Sequence, residues 1–154
     1  MDPRSLLKKA QERFPDRGLT DDSLNPQAIL APPDLVPEIF EWLRHDPELQ
    51  FDYFEFSTCT DRPPEHLDLL YYVYSFIHKH RIAIKVQLER DHPAVPTICQ
   101  IWRNAEWNER EIFDLFGVVF TGHPDLRRLM MPEDWEGHPL RKDYTHPNVV
   151  VRPD

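Results

Sequence analysis

Residues 51–88 read FDYFEFSTCTDRPPEHLDLLYYVYSFIHKHRIAIKVQL, and they decide the fold. Three strand-like runs stand here with connections short enough to be hairpins. Phe51 to Thr60 is aromatic and β-branched, and Asp61-Arg62-Pro63-Pro64 breaks it. Leu67 to Ile77 is apolar on both faces, as a central strand requires. From Ile82 to Leu88 the pattern alternates: Ile82, Ile84, Val86 and Leu88 point inward, and Ala83, Lys85 and Gln87 outward. The three runs predict an antiparallel meander with one covered face.

On the N-terminal side, Ser5 to Phe14 reads as a short helix ended by Pro15 and Gly18, and Asp16 to Asn25 as a polar loop. Gln27 to Ala31, bracketed by Pro26 and Pro32, suits a strand. Pro33 to His45 places Leu35, Ile39, Trp42 and Leu43 at helical spacing, with Pro37 in the first turn. On the C-terminal side the period becomes helical from Thr97 to Phe116, with Asn104 a candidate break between two helices. Val118 to Thr121 has the makings of one more short strand. The expected fold class is α+β: a βα crossover into a mainly antiparallel sheet with helices on one face, followed by an extended C-terminal tail. Residues 1–120 form the expected globular domain and residues 121–154 an extended docking tail.

The chain of 154 residues and 18.4 kDa is of single-domain length. With 40% hydrophobic and 29% charged residues it is not of a disordered composition. No apolar run reaches the roughly 20 residues that span a bilayer. The N-terminus interleaves charges with apolar residues and has no continuous apolar stretch of the secretory kind, so residence inside the cell is expected. A net charge of −9 disfavours nucleic acid and anionic lipid as direct partners. Four glycines against 16 prolines leave no glycine-rich phosphate cradle. Cys59 and Cys99 are forty residues apart and suggest neither a disulfide nor a metal centre. Eight histidines stand outside any HExxH or similar ligand spacing, and Ser57, Ser75 and Cys99 lack a nucleophile motif, so no catalytic, cofactor or metal residue is expected.

On a helical wheel Ile98, Ile101, Trp102, Ala105, Ile112, Phe113 and Phe116 form one stripe, and Glu109 falls within it. Two readings stand. In one, the carboxylate lies at the rim of the core and reaches water. In the other it is buried and needs a cation, for which Arg127, Arg128 and Arg141 are candidates if the tail folds back. Arg110 lies on another face between Glu106 and Asp114, the pattern of a solvated ion-pair ladder. Trp107 points nearly opposite the stripe, as a loop-covered side chain or as an anchor for a partner. Gly117, Gly122 and Gly137 suit positive-φ or close-approach positions. The repeated tripeptides Gly122-His123-Pro124 and Gly137-His138-Pro139 read as turns. The tail carries too many apolar residues for a free linker, so it is expected to lie on its own domain or on a neighbour.

Residues 93–144 are where a family becomes recognisable. Glu109-Arg110-Glu111, Asp114, Phe116-Gly117, Phe120, Gly122-His123-Pro124, Leu126-Arg127-Arg128 and Gly137-His138-Pro139-Leu140-Arg141-Lys142-Asp143-Tyr144 closely resemble the thirty-kilodalton, or C-type, subunit family of proton-pumping NADH:quinone oxidoreductase, respiratory complex I. The resemblance implies a non-catalytic scaffold in the peripheral arm of an oxidoreductase, on the cytoplasmic face of a prokaryotic plasma membrane. It implies no cofactor in this chain, with NADH, FMN, iron–sulfur clusters and quinone handled by other subunits. The implied partners are the quinone-site subunit and its cluster-bearing neighbour, with membrane association only indirect. Under this reading Arg127, Arg128, Arg141 and Lys142 dock on the neighbour. A ferredoxin- or hydrogenase-linked complex shares the module and is the near alternative. A stand-alone enzyme using Glu109, Glu111 and Asp114 is the remote one, because these carboxylates spread around one helix.

Overall fold

The computed structural model describes residues 2–22 and 25–150, side chains at 25–27 excepted. The last four positions of the expected tail, 151–154, lie outside the described residues. Helix α1 (Pro3–Arg13) starts earlier than the apolar pattern suggests, because the Asp2 carboxylate accepts the Arg4 and Ser5 amides and Pro3 occupies the first turn. Strand β1 (Thr20–Asp22) stands where the sequence predicts only a loop, and pairs antiparallel with β2 (Asn25–Leu30). Three polar residues have no readable alternation, so this strand exists through its pairing and not through its own pattern. A 3-10 turn at Pro33–Leu35 leads into α2 (Val36–His45), which buries Val36, Ile39, Phe40 and Leu43.

Strands β3 (Tyr53–Arg62), β4 (His66–Ser75) and β5 (His80–Glu89) form the expected meander. Their sheet runs β1-β2-β5-β4-β3, with β2 and β5 its parallel pair, so β2–α2 is the expected crossover. On the covered face Leu67, Leu69, Tyr71 and Val73 of β4 join Ile82, Ile84, Val86 and Leu88 of β5 in the core. Phe40 meets the Tyr71 ring edge-on at 5.1 Å and the Trp102 ring at 5.5 Å.

The opposite face of β5 departs from expectation, since Ala83 and Lys85 are buried there. Lys85 Nζ is held by Asp22 at 3.2 Å and Asp68 at 3.1 Å. Alternation assigned Lys85 to water, but the partner carboxylates come from two other strands that flank it in space. Buried charges of this kind persist only when paired.

Strand β3 is an edge strand with a bulge between Phe54 and Phe56. Asn104 and Asn108, one turn apart at the start of α3 (Ala105–Phe116), cover part of that edge. Asn104 donates to the Phe54 carbonyl at 2.9 Å, and Asn108 accepts the Ser57 amide at 2.9 Å. The predicted helical stretch 97–116 is therefore shorter than its periodicity suggests. Asn104 stands at the N-cap position of α3 without a side-chain capping bond, residues 97–104 are irregular and turn-rich, and the unpredicted β6 (Ala94–Pro96) pairs parallel with β7 (Val119–Thr121). Ile98, Ile101, Trp102, Ala105, Ile112 and Phe116 are buried as the stripe requires, and Phe113 packs against the core.

Candidate functional site: helix α3 and the strap that covers it

Helix α3 positions the motif residues by presenting one face to the body and the other to residues 122–144, which fold back across it as a strap. Glu109 is fully buried. No arginine pairs with it among the described residues, contrary to the sequence expectation. Its carboxylate accepts the Ile98 amide at 2.9 Å and the Thr97 hydroxyl, and the Cys99 thiol lies at 3.1 Å. His123 Nε2 stands 3.9 Å away. The turn before the helix thus folds around the glutamate and supplies local donors in place of a long-range cation. Burial raises the Glu109 pKa above the ordinary carboxylate range, against the lowering effect of the Ile98 amide and the Thr97 hydroxyl. It pushes the Cys99 thiol up to about 12. His123 Nδ1 accepts the Asp125 amide at 3.0 Å, so in the neutral ring Nε2 carries the proton and points it to the Glu106 carbonyl at 3.2 Å.

The expected ion-pair ladder of Glu106, Arg110 and Asp114 does not form. Arg110 is buried and donates to the carbonyls of Arg127 and Arg128, each at 3.2 Å. Its guanidinium also lies 4.9 Å from the centre of the Trp107 ring, a cation–π distance. Asp114 is fully buried, and its carboxylate accepts four hydrogen bonds. Its Oδ2 accepts the amides of Leu129, Met130 and Met131 at 3.1, 2.6 and 2.8 Å. Its Oδ1 receives Arg128 Nη1 at 2.7 Å. Desolvation alone would raise the Asp114 pKa, but the Met131 amide, Arg128 and the neighbouring amides outweigh it and hold the carboxyl below its ordinary value. A wheel marks these residues as solvent-facing because it cannot show the strap.

The strap also closes the C-terminal end of α3. A helix leaves its last four carbonyls without partners inside the helix. Here the Phe113 carbonyl takes the Gly117 amide, and the Asp114 carbonyl takes Arg128 at 3.1 Å and His138 Nδ1 at 3.0 Å. The Leu115 carbonyl takes the Leu140 amide at 3.0 Å, and the Phe116 carbonyl takes Arg141 Nε at 2.7 Å. Gly117 has φ +80°, and a Cβ there would sit 2.6 Å from the His138 ring. Gly137 has φ +82°, and a Cβ there would sit 2.9 Å from Tyr144. The two glycines let the strap pass over the helix end.

Further contacts fix the strap's path. Arg128 Nη2 reaches the carbonyls of Trp135 at 2.7 Å and Gly137 at 2.9 Å. Arg141 Nη1 reaches the Arg90 carbonyl at 2.7 Å. Asp61 accepts both Nε and Nη2 of Arg90, at 2.7 and 2.9 Å, and the Lys142 amide at 2.8 Å. The Arg90 fork, working against desolvation, lowers the Asp61 pKa to about 2. Asp143 joins Arg90 from the other side at 2.8 Å. Arg128 and Arg141 are thus committed to their own chain rather than free for a neighbour, which corrects the docking expectation for both. Arg127 is exposed beside Asp125, and the side of Lys142 away from its amide is exposed too.

Of the three carboxylates proposed for an acid–base pair, Glu109 faces the 97–99 turn, Asp114 lies under the strap, and Glu111 is exposed. They do not converge. Trp107 stays 57% exposed, and Met130 and Leu140 on the strap are 64% and 53% exposed. Sequence reasoning missed Asp61, Arg90 and Thr97. Arg90 follows a strand end and Thr97 precedes the stripe, but nothing local marks their partners.

Residues 29–149 match the protein family described as "Respiratory-chain NADH dehydrogenase, 30 Kd subunit". The C-type subunit of NADH-quinone oxidoreductase from Roseiflexus castenholzii is 40% identical over 147 residues, covering 93% of this chain and 84% of that protein. The protein of the same name from Chlorobium phaeobacteroides is 44% identical over 113 residues, covering 72% and 68%. Among solved structures, the trypsin-resistant fragment of Nqo5 superposes with a TM-score of 0.59 at 25% identity, over 82% of this chain and all of that one. A chain of the archaeal membrane-bound sulfane sulfur reductase shares the fold with a TM-score of 0.75 at 21% identity, over 98% and 94%.

Proposed function

Because the chain belongs to the respiratory-chain NADH dehydrogenase 30 Kd subunit family, that of the C-type subunits of NADH-quinone oxidoreductase, we propose that it is a scaffold subunit of the peripheral arm of such a complex. It contributes surface rather than chemistry to electron transfer from NADH to quinone. No helix among the described residues is long and apolar enough to cross a membrane. In the proposed complex the chain is held through other subunits, on the cytoplasmic side. Flavin, iron–sulfur clusters and quinone belong to those other subunits. The quinone-site subunit and its cluster-bearing neighbour are the proposed partners.

One observation carries this reading. The strap is tied to its own body by hydrogen bonds, yet leaves Met130 and Leu140 more than half exposed, close in sequence to the exposed Arg127 and Lys142. Exposed apolar side chains held on an ordered support, with Trp107 exposed on the helix that the strap crosses, are the usual makings of a docking surface. A strap ordered before assembly lowers the conformational cost of docking.

The test separates docking from folding. Trp107→Ala with Met130→Ser, and separately Arg127→Ala, are expected to reduce co-purification of this chain with the other subunits while the purified chain keeps its melting temperature. Arg128→Ala is expected to reduce both, because Arg128 works inside the chain. Full incorporation of the Trp107/Met130 double variant and of Arg127→Ala would overturn the reading.

A further inference from the structure

We infer that Cys99, Glu109 and His123 form a binding site for a single borderline-soft divalent cation, with Zn2+ the best match. Sequence spacing gave no hint of it, because the three residues come from the turn before α3, the middle of α3 and the Gly122-His123-Pro124 turn. The fold brings one sulfur, one carboxylate oxygen and one imidazole nitrogen within 4.8 Å of one another. Cys99 Sγ and Glu109 Oε2 are 3.1 Å apart, and His123 Nε2 and the same oxygen 3.9 Å. Zinc bonds of about 2.0 Å to nitrogen or oxygen and 2.3 Å to sulfur place tetrahedral ligand atoms about 3.3–3.6 Å apart. Small shifts of side chains therefore close the site around one ion. A thiolate–imidazole–carboxylate set favours zinc over the oxygen-seeking Mg2+ and Ca2+.

Three further features fit. Glu109 is a buried carboxylate with no lysine or arginine beside it among the described residues, and a thiolate plus a carboxylate leave a divalent ion electrically neutral. The Glu106 carbonyl, 3.2 Å from His123 Nε2, supplies a fourth donor. Cys99 and Glu106 line an open cleft of about 610 Å³, together with Arg44 and Arg103, so the sulfur side of the site borders solvent. On binding, the thiol proton leaves to solvent and the ring proton of His123 moves to Nδ1. The Asp125 amide, which donates to Nδ1 in the metal-free chain, then gives way to the new N–H.

The experiment uses the full chain, stripped with chelator and dialysed against Zn2+ or Co2+ at micromolar concentration. The expected result is one ion per chain, with a thiolate-to-cobalt charge-transfer band for Co2+. Cys99→Ser abolishes the band, and with His123→Asn it weakens binding by at least about 100-fold, the upper end of what an outer-sphere change costs. A chain that takes up no stoichiometric ion, or a Co2+ complex with no thiolate band, overturns the assignment. So does binding that Cys99→Ser leaves unchanged. Wild-type stoichiometry and spectrum decide the question even if a variant fails to fold.

Discussion

Replacing Asp114 with Asn tests whether the strap is held by one carboxylate. The substitution keeps the side-chain shape but cannot serve both sides of the contact. If the amide oxygen stays with the three backbone amides of residues 129–131, its NH2 group meets Arg128 donor to donor; turned over, it meets the three amides. Arg128, itself largely buried, then loses its counter-charge. A hydrogen bond to a charged group is worth about 1.5–3 kcal/mol, and breaking a buried pair costs about 3–5 kcal/mol. We take about 3 kcal/mol, since the Trp135 and Gly137 carbonyls still receive Arg128. At about 2–4 °C per kcal/mol for a domain of this size, the melting temperature falls by about 6–12 °C. Calorimetry reads the loss, and hydrogen exchange at Leu129, Met130 and Met131 locates it. The pH dependence has a definite sign. The folded pKa of Asp114 lies below its unfolded value of 3.8, so the wild-type advantage is complete above that pH and disappears as pH falls through the folded value. A loss under about 1 kcal/mol, or unchanged protection of the three amides, would refute the latch.

Two further substitutions probe other buried polar groups. Glu109→Gln should remove a pH dependence of the opposite sign. Burial raises the folded pKa of Glu109 above 4.5, so its contribution is fullest below that pH and is lost as pH rises through the folded value. Denaturant titrations in chelator from acid to neutral pH should therefore show the variant gaining on the wild type as pH rises, and parallel curves would count against a buried, unpaired carboxylate. Tyr71→Phe should stabilise the chain by about 1 kcal/mol, because the Tyr71 hydroxyl is buried with no hydrogen-bond partner among the described residues. A destabilised variant would mean that the hydroxyl has an unseen partner such as a bound water.

The meander was legible because β3 is an aromatic and β-branched run, β4 is apolar on both faces, β5 alternates, and their turns are local. The stripe on α3 was legible from helical phase, which put Glu109 within it and Trp107 nearly opposite but left open whether the carboxylate is buried and whether the tryptophan is covered. Lys85 was misread because its carboxylate partners stand on other strands of the same sheet, and Arg110 and Asp114 for a different cause. Phase tells which face of an element meets the nearest layer, but not whether a second layer covers the other face. For α3 that layer comes from residues 127–131 and 138–141, an irregular segment whose order is set by carbonyls and amides rather than by apolar period. The partner of Glu109 was misassigned in the opposite direction. An arginine was sought at long range, while Thr97 and Ile98 stood just before the helix and turned back onto it.

The two asparagines at the start of α3 bear on how copies of this chain behave at high concentration. An edge strand of ten residues with open amides and carbonyls is a template for pairing with another strand, and proteins that leave one bare tend to aggregate. Asn104 and Asn108 occupy the Phe54 carbonyl and the Ser57 amide with side chains, and the bulge beside them breaks the register that a second strand would need. Growth of the sheet through this part of β3 is thereby discouraged. Along this part of β3, another copy is left to meet the chain by side-chain contact rather than by strand pairing.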